Sequence, residues 1–472
     1  MGLLRNFSFT FTANLITFLL NAGVTFVIPK FVGVSEYSYY QLFQFYISYV
    51  GYLQFGWVDG MYLRLGGKYY DELDTRRIHT QWRLYMIFTF IIAAVVMVCA
   101  LLGKLEADKR TVFFLTGVSA LNILPLTWLQ YILQATNRMK ENAIIIIIRS
   151  VLFLFGIVVL LIGKIGEFEA FCVAYMIAQF ISFLYAAWVC RSLIVNRCVS
   201  IGSVLGEIKQ DIFQGLHLTV ATVASVLMIG LVRLAIEYSW GVEVFGRISL
   251  TLSVSNLLML FVRAVSLVMF PALRRIDQHA LSGIYANVRT ALMTVLLGML
   301  AAYYPIKVCL SAWLPQYAES LNYMAILFPM CVFESKTSML IETYMKTLRK
   351  EKWLLLTNIA MVILSAVLAG IAAFWLHDLN VAVLSVVVLV ALRCIISELL
   401  LTRMVKIQVK KDIALEVTLV VIFIVSSWTI GGLTGLAIYS AAYGIYLLIK
   451  RNSLMVLAQI IRRKFKKRPH GH

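Results

Sequence analysis

YLQFGWVDGMYLRLGGKYYDE, Tyr52 to Glu72, begins as an apolar, aromatic run and ends as wet chain. Its first half reads as the inner end of a helix lying in lipid, its second half as the exit into water. Asp59 sits near the join, flanked by Trp57 and Gly60, with Arg64 five residues on. A carboxylate inside an apolar segment is costly and marks a functional position unless a base neutralises it. Arg64 lies about 140° round the helix from Asp59, so the two are not an obvious pair. Asp59 is therefore expected to be a gating or coupling carboxylate, with an interhelical pair to another base as the alternative.

The rest of the chain repeats the contrast. Hydrophobic residues make up 61% of the 472 and charged residues 14%, whereas soluble domains carry about a quarter charged residues. About 20 apolar residues cross the hydrocarbon, and the sequence divides into about fourteen such runs. They fall at 8–28, 38–63, 84–103, 112–136, 143–163, 168–190, 213–235, 243–270, 285–310, 320–345, 353–375, 380–402, 414–430 and 433–449. Runs that are apolar all round exclude a membrane barrel, whose strands alternate. The opening MGLLRNFSFTF reads as part of the first span rather than a removed signal peptide. The seven cysteines are scattered with no paired or His/Cys ligand spacing, so neither a disulfide nor a metal site is expected, and no cofactor.

A net charge of +19 would suggest nucleic acid in a soluble protein. Here the bases collect in alternate loops, which is the signature of cytoplasmic loops and needs no nucleic-acid partner. One side holds Arg64, Lys68, Arg76, Arg77 and Arg83, then Arg138 and Lys140, and so on to Lys410 and Lys411. The other holds Lys30, Lys104, Lys109, Arg110 and Lys164. Both termini are expected in the cytoplasm. IPKFVGVSEYSYYQLFQFYIS resembles LAIEYSWGVEVFGRISLTLS, each with an acid (Glu36, Glu243) just before an aromatic, small-residue helix start. That internal repeat defines lobes 1–190 and 213–402 joined by a cytoplasmic connector, 191–212. An extra hairpin, 403–450, and a basic tail, 451–472, follow; the tail is expected on anionic lipid headgroups.

VIPKFVGVSEYSYYQL and LQFGWVDGMYLRLGGKYYDE resemble the polysaccharide-transport, O-antigen flippase-like family of the multidrug/oligosaccharidyl-lipid/polysaccharide (MOP) superfamily. Gly33, Glu36 and Tyr37 fit a phrase of that family, while Ser38 stands where it has glycine. The resemblance implies an all-α polytopic membrane protein with two pseudo-symmetric six-helix bundles around a central cavity, plus a C-terminal helix pair. It implies a monomeric transporter of the bacterial inner membrane. The cargo would be an undecaprenyl-diphosphate-linked oligosaccharide, moved from the cytoplasmic to the outer leaflet by alternating access.

Polar residues fall on single helix faces in three spans. Thr10, Asn14, Thr17, Asn21 and Thr25 share one face, as do Ser249, Ser253, Asn256 and Arg263. Gln41, Gln44, Ser48, Tyr52 and Asp59 form a third stripe, with Gln41 and Asp59 about five full turns apart and so in phase. Such stripes either bond helices together or wet a cavity wall that sugar hydroxyls slide past. A diphosphate needs cations that donate several hydrogen bonds, which guanidinium does well. Arg263 is the first such candidate, with Arg149 and Arg289 next, unless those two extend to the headgroups. Glu334 and Lys336, in the middle of span ten, point about 200° apart. One is expected to face the cavity and the other a neighbouring helix; Arg393 is a partner for Glu334 or a further cavity cation. Asp59, Glu334 and Glu398 are the carboxylates available for coupling to H+ or Na+. No P-loop is present to use ATP directly.

Two other readings stand beside this one. An ion-coupled multidrug or small-molecule exporter of the same superfamily needs acids for cationic cargo. The bases Arg149, Arg263, Arg289, Lys336 and Arg393 instead outnumber Asp59, Glu334 and Glu398. A membrane-embedded polysaccharide-processing enzyme needs a long outward loop or a buried histidine with a polar partner. Every outward loop is short, and His217 stands alone.

Overall fold

The computed structural model describes residues 19–20, 22–273 and 281–455, with side chains except at 258, 260–273 and 281–284. The chain runs through α1 (Ala22–Phe31), α2 (Val34–Val50), α3 (Trp57–Leu65), α4 (Thr75–Leu102), α5 (Ala107–Ala135), α6 (Met139–Ile162) and α7 (Phe168–Val189). It continues through α8 (Gly202–Leu273), α9 (Tyr285–Trp313), α10 (Ser320–Thr347), α11 (Glu351–Trp375), α12 (Leu379–Val405), α13 (Lys410–Ile430) and α14 (Gly432–Ile449). The described residues hold helices and no strand. Eleven of these helices are long and apolar enough to cross a membrane.

Eleven rather than about fourteen has three causes. The predicted first span falls mostly on residues outside those described, which include Asn14 and Asn21. The predicted second span is broken: a 3-10 turn at Gly51–Gln54 leads to Phe55 and Gly56, both left-handed, with φ of 49° and 82°. Two successive residues of that hand stop one helix and restart another. Gln41 and Asp59 therefore do not share one continuous face, which corrects the third stripe. The predicted spans seven and eight are fused into α8, 72 residues interrupted at Gly241, with φ 85°. Without a Cβ, glycine takes that conformation at no steric cost.

The chain forms two compact units: Met1–Val223 with Trp240–Arg247, and Ala224–Ser239 with Ile248–His472. In the first, the buried rings of Trp57, Trp82, Tyr85 and Trp128 pack in a chain, centroids 5.0 to 6.2 Å apart, Trp57 edge-on to Tyr85 and Tyr85 stacked on Trp128. Asp74 caps α4, its carboxylate accepting the amides of Arg76 and Arg77. In the second unit α10 is the most buried of the described spans; its Phe328 packs on Tyr303, and Phe423 meets Tyr303 and Tyr439 edge to face. Residues 202–212, read in sequence as part of a connector, are the first turns of α8.

Candidate functional site

In the first unit the site grows from glycine. Gly56, immediately before α3, and Gly60 within it stand four apart, and Gly215 faces them from α8. A Cβ on Gly60 would fall 1.8 Å from the Asp211 carbonyl, and one on Gly215 would fall 1.9 Å from that of Gly56. Small residues at this spacing let two helix backbones touch. Asp59, between those two glycines, is thereby set against α8. Its Oδ2 accepts from the Thr219 hydroxyl at 2.5 Å. Asp59 makes no ion pair with any described residue. The alternative of an interhelical pair with a base is not what these residues form.

Arg64 instead reaches Asp211. Its Nε and Nη2 donate to the two carboxylate oxygens at 2.7 and 2.8 Å, and Glu207 lies 3.4 Å away. Gln81 donates to Glu207 at 2.7 Å, and Arg77 pairs with it as well. This network ties α3 and α4 to the first turns of α8. Asp211 is fully buried. Neither acid was singled out from sequence, because both lay in a segment read as wet connector. The spacing of Glu207 and Asp211, four apart, was the available signal: one helical face opposite Arg64 and Arg77.

The second unit holds two charge clusters. Arg289 of α9 places Nε 2.7 Å from Glu398 and Nη1 2.7 Å from Glu416. Lys336 of α10 lies 2.5 Å from Glu398 of α12 and 2.8 Å from Glu416 of α13. Tyr285 donates a further hydrogen bond to Glu398 at 3.0 Å. All four charged side chains are buried, two cations against two anions, and at the edge Asp412 lies 3.4 Å from Arg289 and pairs with Lys450. Such a group is tolerable in a low-dielectric interior only when every charge is matched. Arg289 and Lys336, candidates for the cargo phosphates, are engaged here with carboxylates. Glu416 escaped the sequence reading because it lies in the C-terminal hairpin, which was set apart from the lobes; an acid in the first turn of an apolar run was the missed signal.

The other cluster centres on Arg393, buried on α12. It meets Glu334 at 3.4 Å, as the sequence suggested, and also Glu342 at 3.3 Å and the Ser225 hydroxyl at 3.1 Å. Glu334 and Lys336 thus serve different clusters, in line with their opposed directions. Between Lys336 and Glu342 the helix is π-wound, over Thr337–Glu342. A wide turn of this kind is common at functional sites. Arg149 on α6 is half-buried and has no ion partner among the described residues. Asn256 is exposed, as is His217, which stacks on Phe213. The side chain of Arg263 lies outside those described. Among the described residues no cluster of metal-ligating side chains occurs.

With this architecture in hand the class follows: the chain has the fold of the MOP superfamily and is a multi-pass membrane protein. Among solved structures it is similar to the lipid II flippase MurJ in an inward closed conformation. Identity is 14% and the TM-score 0.66, over 95% of this chain and 99% of that one. It is similar also to an inward-facing multidrug resistance MATE family transporter, at 12% identity and TM-score 0.62 over 84% of this chain and 94% of that one. A MOP superfamily transporter from Pyrococcus furiosus matches at 12% identity and TM-score 0.55, over 86% and 95%. No protein-family model and no curated protein matches the sequence.

Proposed function

We propose that this protein is a flippase that carries an undecaprenyl-diphosphate-linked oligosaccharide from the cytoplasmic to the outer leaflet of a bacterial inner membrane. It does so by alternating access, without catalysing a covalent step, and with both termini in the cytoplasm. The observation that carries the reading is the extent of the likeness to a lipid II flippase, 95% of this chain against 84% for the MATE transporter. The C-terminal hairpin supports it. Glu416 of α13 is locked to Arg289 and Lys336, so α13 and its hairpin partner are integral to their unit rather than an appendage.

The intramembrane charge balance no longer separates cargo classes. Once Glu342 and Glu416 join the three acids singled out from sequence, they equal the five bases singled out there, and three of those bases are matched within the second unit. Of the five bases singled out from sequence, Arg149 is the one whose side chain is described and meets no carboxylate. The reading is tested by binding. Intrinsic tryptophan fluorescence is followed as the purified protein is titrated with an undecaprenyl-diphosphate oligosaccharide or with a lipophilic organic cation. Saturable binding of the diphosphate lipid alone is expected; saturable binding of the cation alone would replace the flippase with an exporter.

A further inference from the structure

The C-terminal hairpin carries a groove on its flank. Lys410, Ile413, Ala414, Val417 and Thr418 share one face of α13, and Leu399 of α12 stands opposite; the space between them is about 440 Å³. From Lys410 to Thr418 the groove runs about 12 Å along the helix. Apart from its two ends the lining is apolar. Ala414 and Thr418 are exposed, and Val421 and Val425 continue their stripe, so the open side is a surface that hydrocarbon covers better than water.

The back of the groove is closed. Glu398 precedes Leu399 and Glu416 precedes Val417, each turned about 100° from that neighbour. Lys336 bridges the two acids on the buried side, at 2.5 and 2.8 Å, and so joins α12 to α13 there.

The head of the groove is basic. Arg403, four residues on from Leu399, is exposed, as are Lys406, Lys410 and Lys411, and none of the four forms an ion pair with a described residue. The acid among them, Asp412, is taken by Lys450 and Arg289. The preference of one membrane side for bases explains the sign of these side chains. It does not explain the apolar groove beneath them. The chain's own tail, RRKFKKR, has the same sign and cannot neutralise them.

We propose that this groove holds an anionic phospholipid of the bilayer. One acyl chain lies along Leu399, Ile413, Ala414 and Val417, and the phosphate sits among Lys410 and the neighbouring bases. Charge complementarity selects the headgroup, and the apolar lining takes the chain. The occupant is a resident lipid rather than cargo, because cargo has to enter the protein and Lys336 with its two acids closes the way between α12 and α13. The proposal depends on the membrane-spanning fold and not on the flippase reading. A chain in this position also keeps water from the buried charges beside Leu399 and Val417, where a low dielectric strengthens their pairing.

The test uses a phosphatidylglycerol with a photoreactive acyl chain and a phosphatidylcholine with the same chain. Each is reconstituted with the purified full-length protein in nanodiscs, and adducts are mapped by peptide mass spectrometry. Adducts on residues 413–418 are expected to be at least tenfold more abundant with phosphatidylglycerol. The exposed face of α7 at Phe180 and Leu184 is the boundary-lipid control, with no such preference. Lys410→Glu combined with Lys411→Glu should abolish the preference, and Lys410→Arg combined with Lys411→Arg should keep it. Ala414→Phe fills the groove, leaves every cation in place, and should lower the adducts at least tenfold. The lysine variants decide the matter if Ala414→Phe does not fold. Equal labelling of residues 413–418 by the two lipids marks ordinary boundary lipid and overturns the proposal, as does labelling that a folded Ala414→Phe leaves unchanged. Displacement by an undecaprenyl-diphosphate oligosaccharide more effective than by unlabelled phosphatidylglycerol would assign the groove to cargo and overturn it too.

Discussion

Glu416→Gln is the perturbation with the largest consequence that the structure specifies. The substitution keeps the shape of the side chain and removes one negative charge. Arg289 and Lys336 are left with Glu398 as their one buried acid; Asp412, 3.4 Å from Arg289, is part-exposed and already paired with Lys450, so one cation of the buried group loses its match. Removing one partner of a buried ion pair costs about 3–5 kcal/mol, because the other charge remains desolvated. For a unit of this size each kcal/mol moves the unfolding midpoint by roughly 2–4 °C, so a drop of at least about 6 °C is expected. Combining Lys336→Met with Glu416→Leu deletes one charge of each sign and leaves the Arg289–Glu398 pair, at 2.7 Å, intact. Matched removal of buried charges is often neutral or stabilising, so the double variant should lie within about 1.5 kcal/mol of wild type. The assay is thermal unfolding in detergent, read by intrinsic fluorescence, with size-exclusion profiles as a check on folding. A Glu416→Gln midpoint within 1–2 °C of wild type would refute the reasoning, as would a double variant whose loss equals the sum of the singles.

Gly60→Ala should prevent α3 and α8 from meeting, since its Cβ would lie 1.8 Å from the Asp211 carbonyl, whereas Gly206→Ala meets nothing within 4 Å; the yield of monodisperse protein should collapse in the first and hold in the second. Arg64→Lys keeps the charge but loses the two-pronged grip on Asp211, and a cost of about 1–3 kcal/mol is expected in the same unfolding assay. Arg149→Ala should change stability by less than about 0.5 kcal/mol, because no described ion partner is lost, yet weaken binding of the diphosphate lipid by at least tenfold.

The helices were legible because lipid imposes one demand, an apolar run of sufficient length, and that demand is local. The break at Phe55 and Gly56 was not read, although Gly51 and Gly56 punctuate the stretch. Periodicity extrapolated through both glycines and put Gln41 in phase with Asp59. The direction of Glu334 against Lys336 came out correctly because helical geometry alone fixes it, and so did the Arg393 partner of Glu334. What sequence could not supply was the third dimension. Arg289 and Lys336 looked available because Glu416 lies 80 residues beyond Lys336 in a hairpin treated as peripheral. Asp211 looked solvated because a connector was drawn through the first turns of α8. In each case the sequence showed a charge and its depth, while its partner was set by helix packing.

The central claim is the movement of a lipid-linked glycan between leaflets, and it is measured directly in proteoliposomes. A fluorescent undecaprenyl-diphosphate oligosaccharide is placed in both leaflets, and a membrane-impermeant quencher reports the fraction reaching the far side with time. The account predicts translocation well above that of protein-free liposomes, lost in Arg149→Ala and retained for the wild type in the absence of ATP. Translocation equal to that of protein-free liposomes would contradict it.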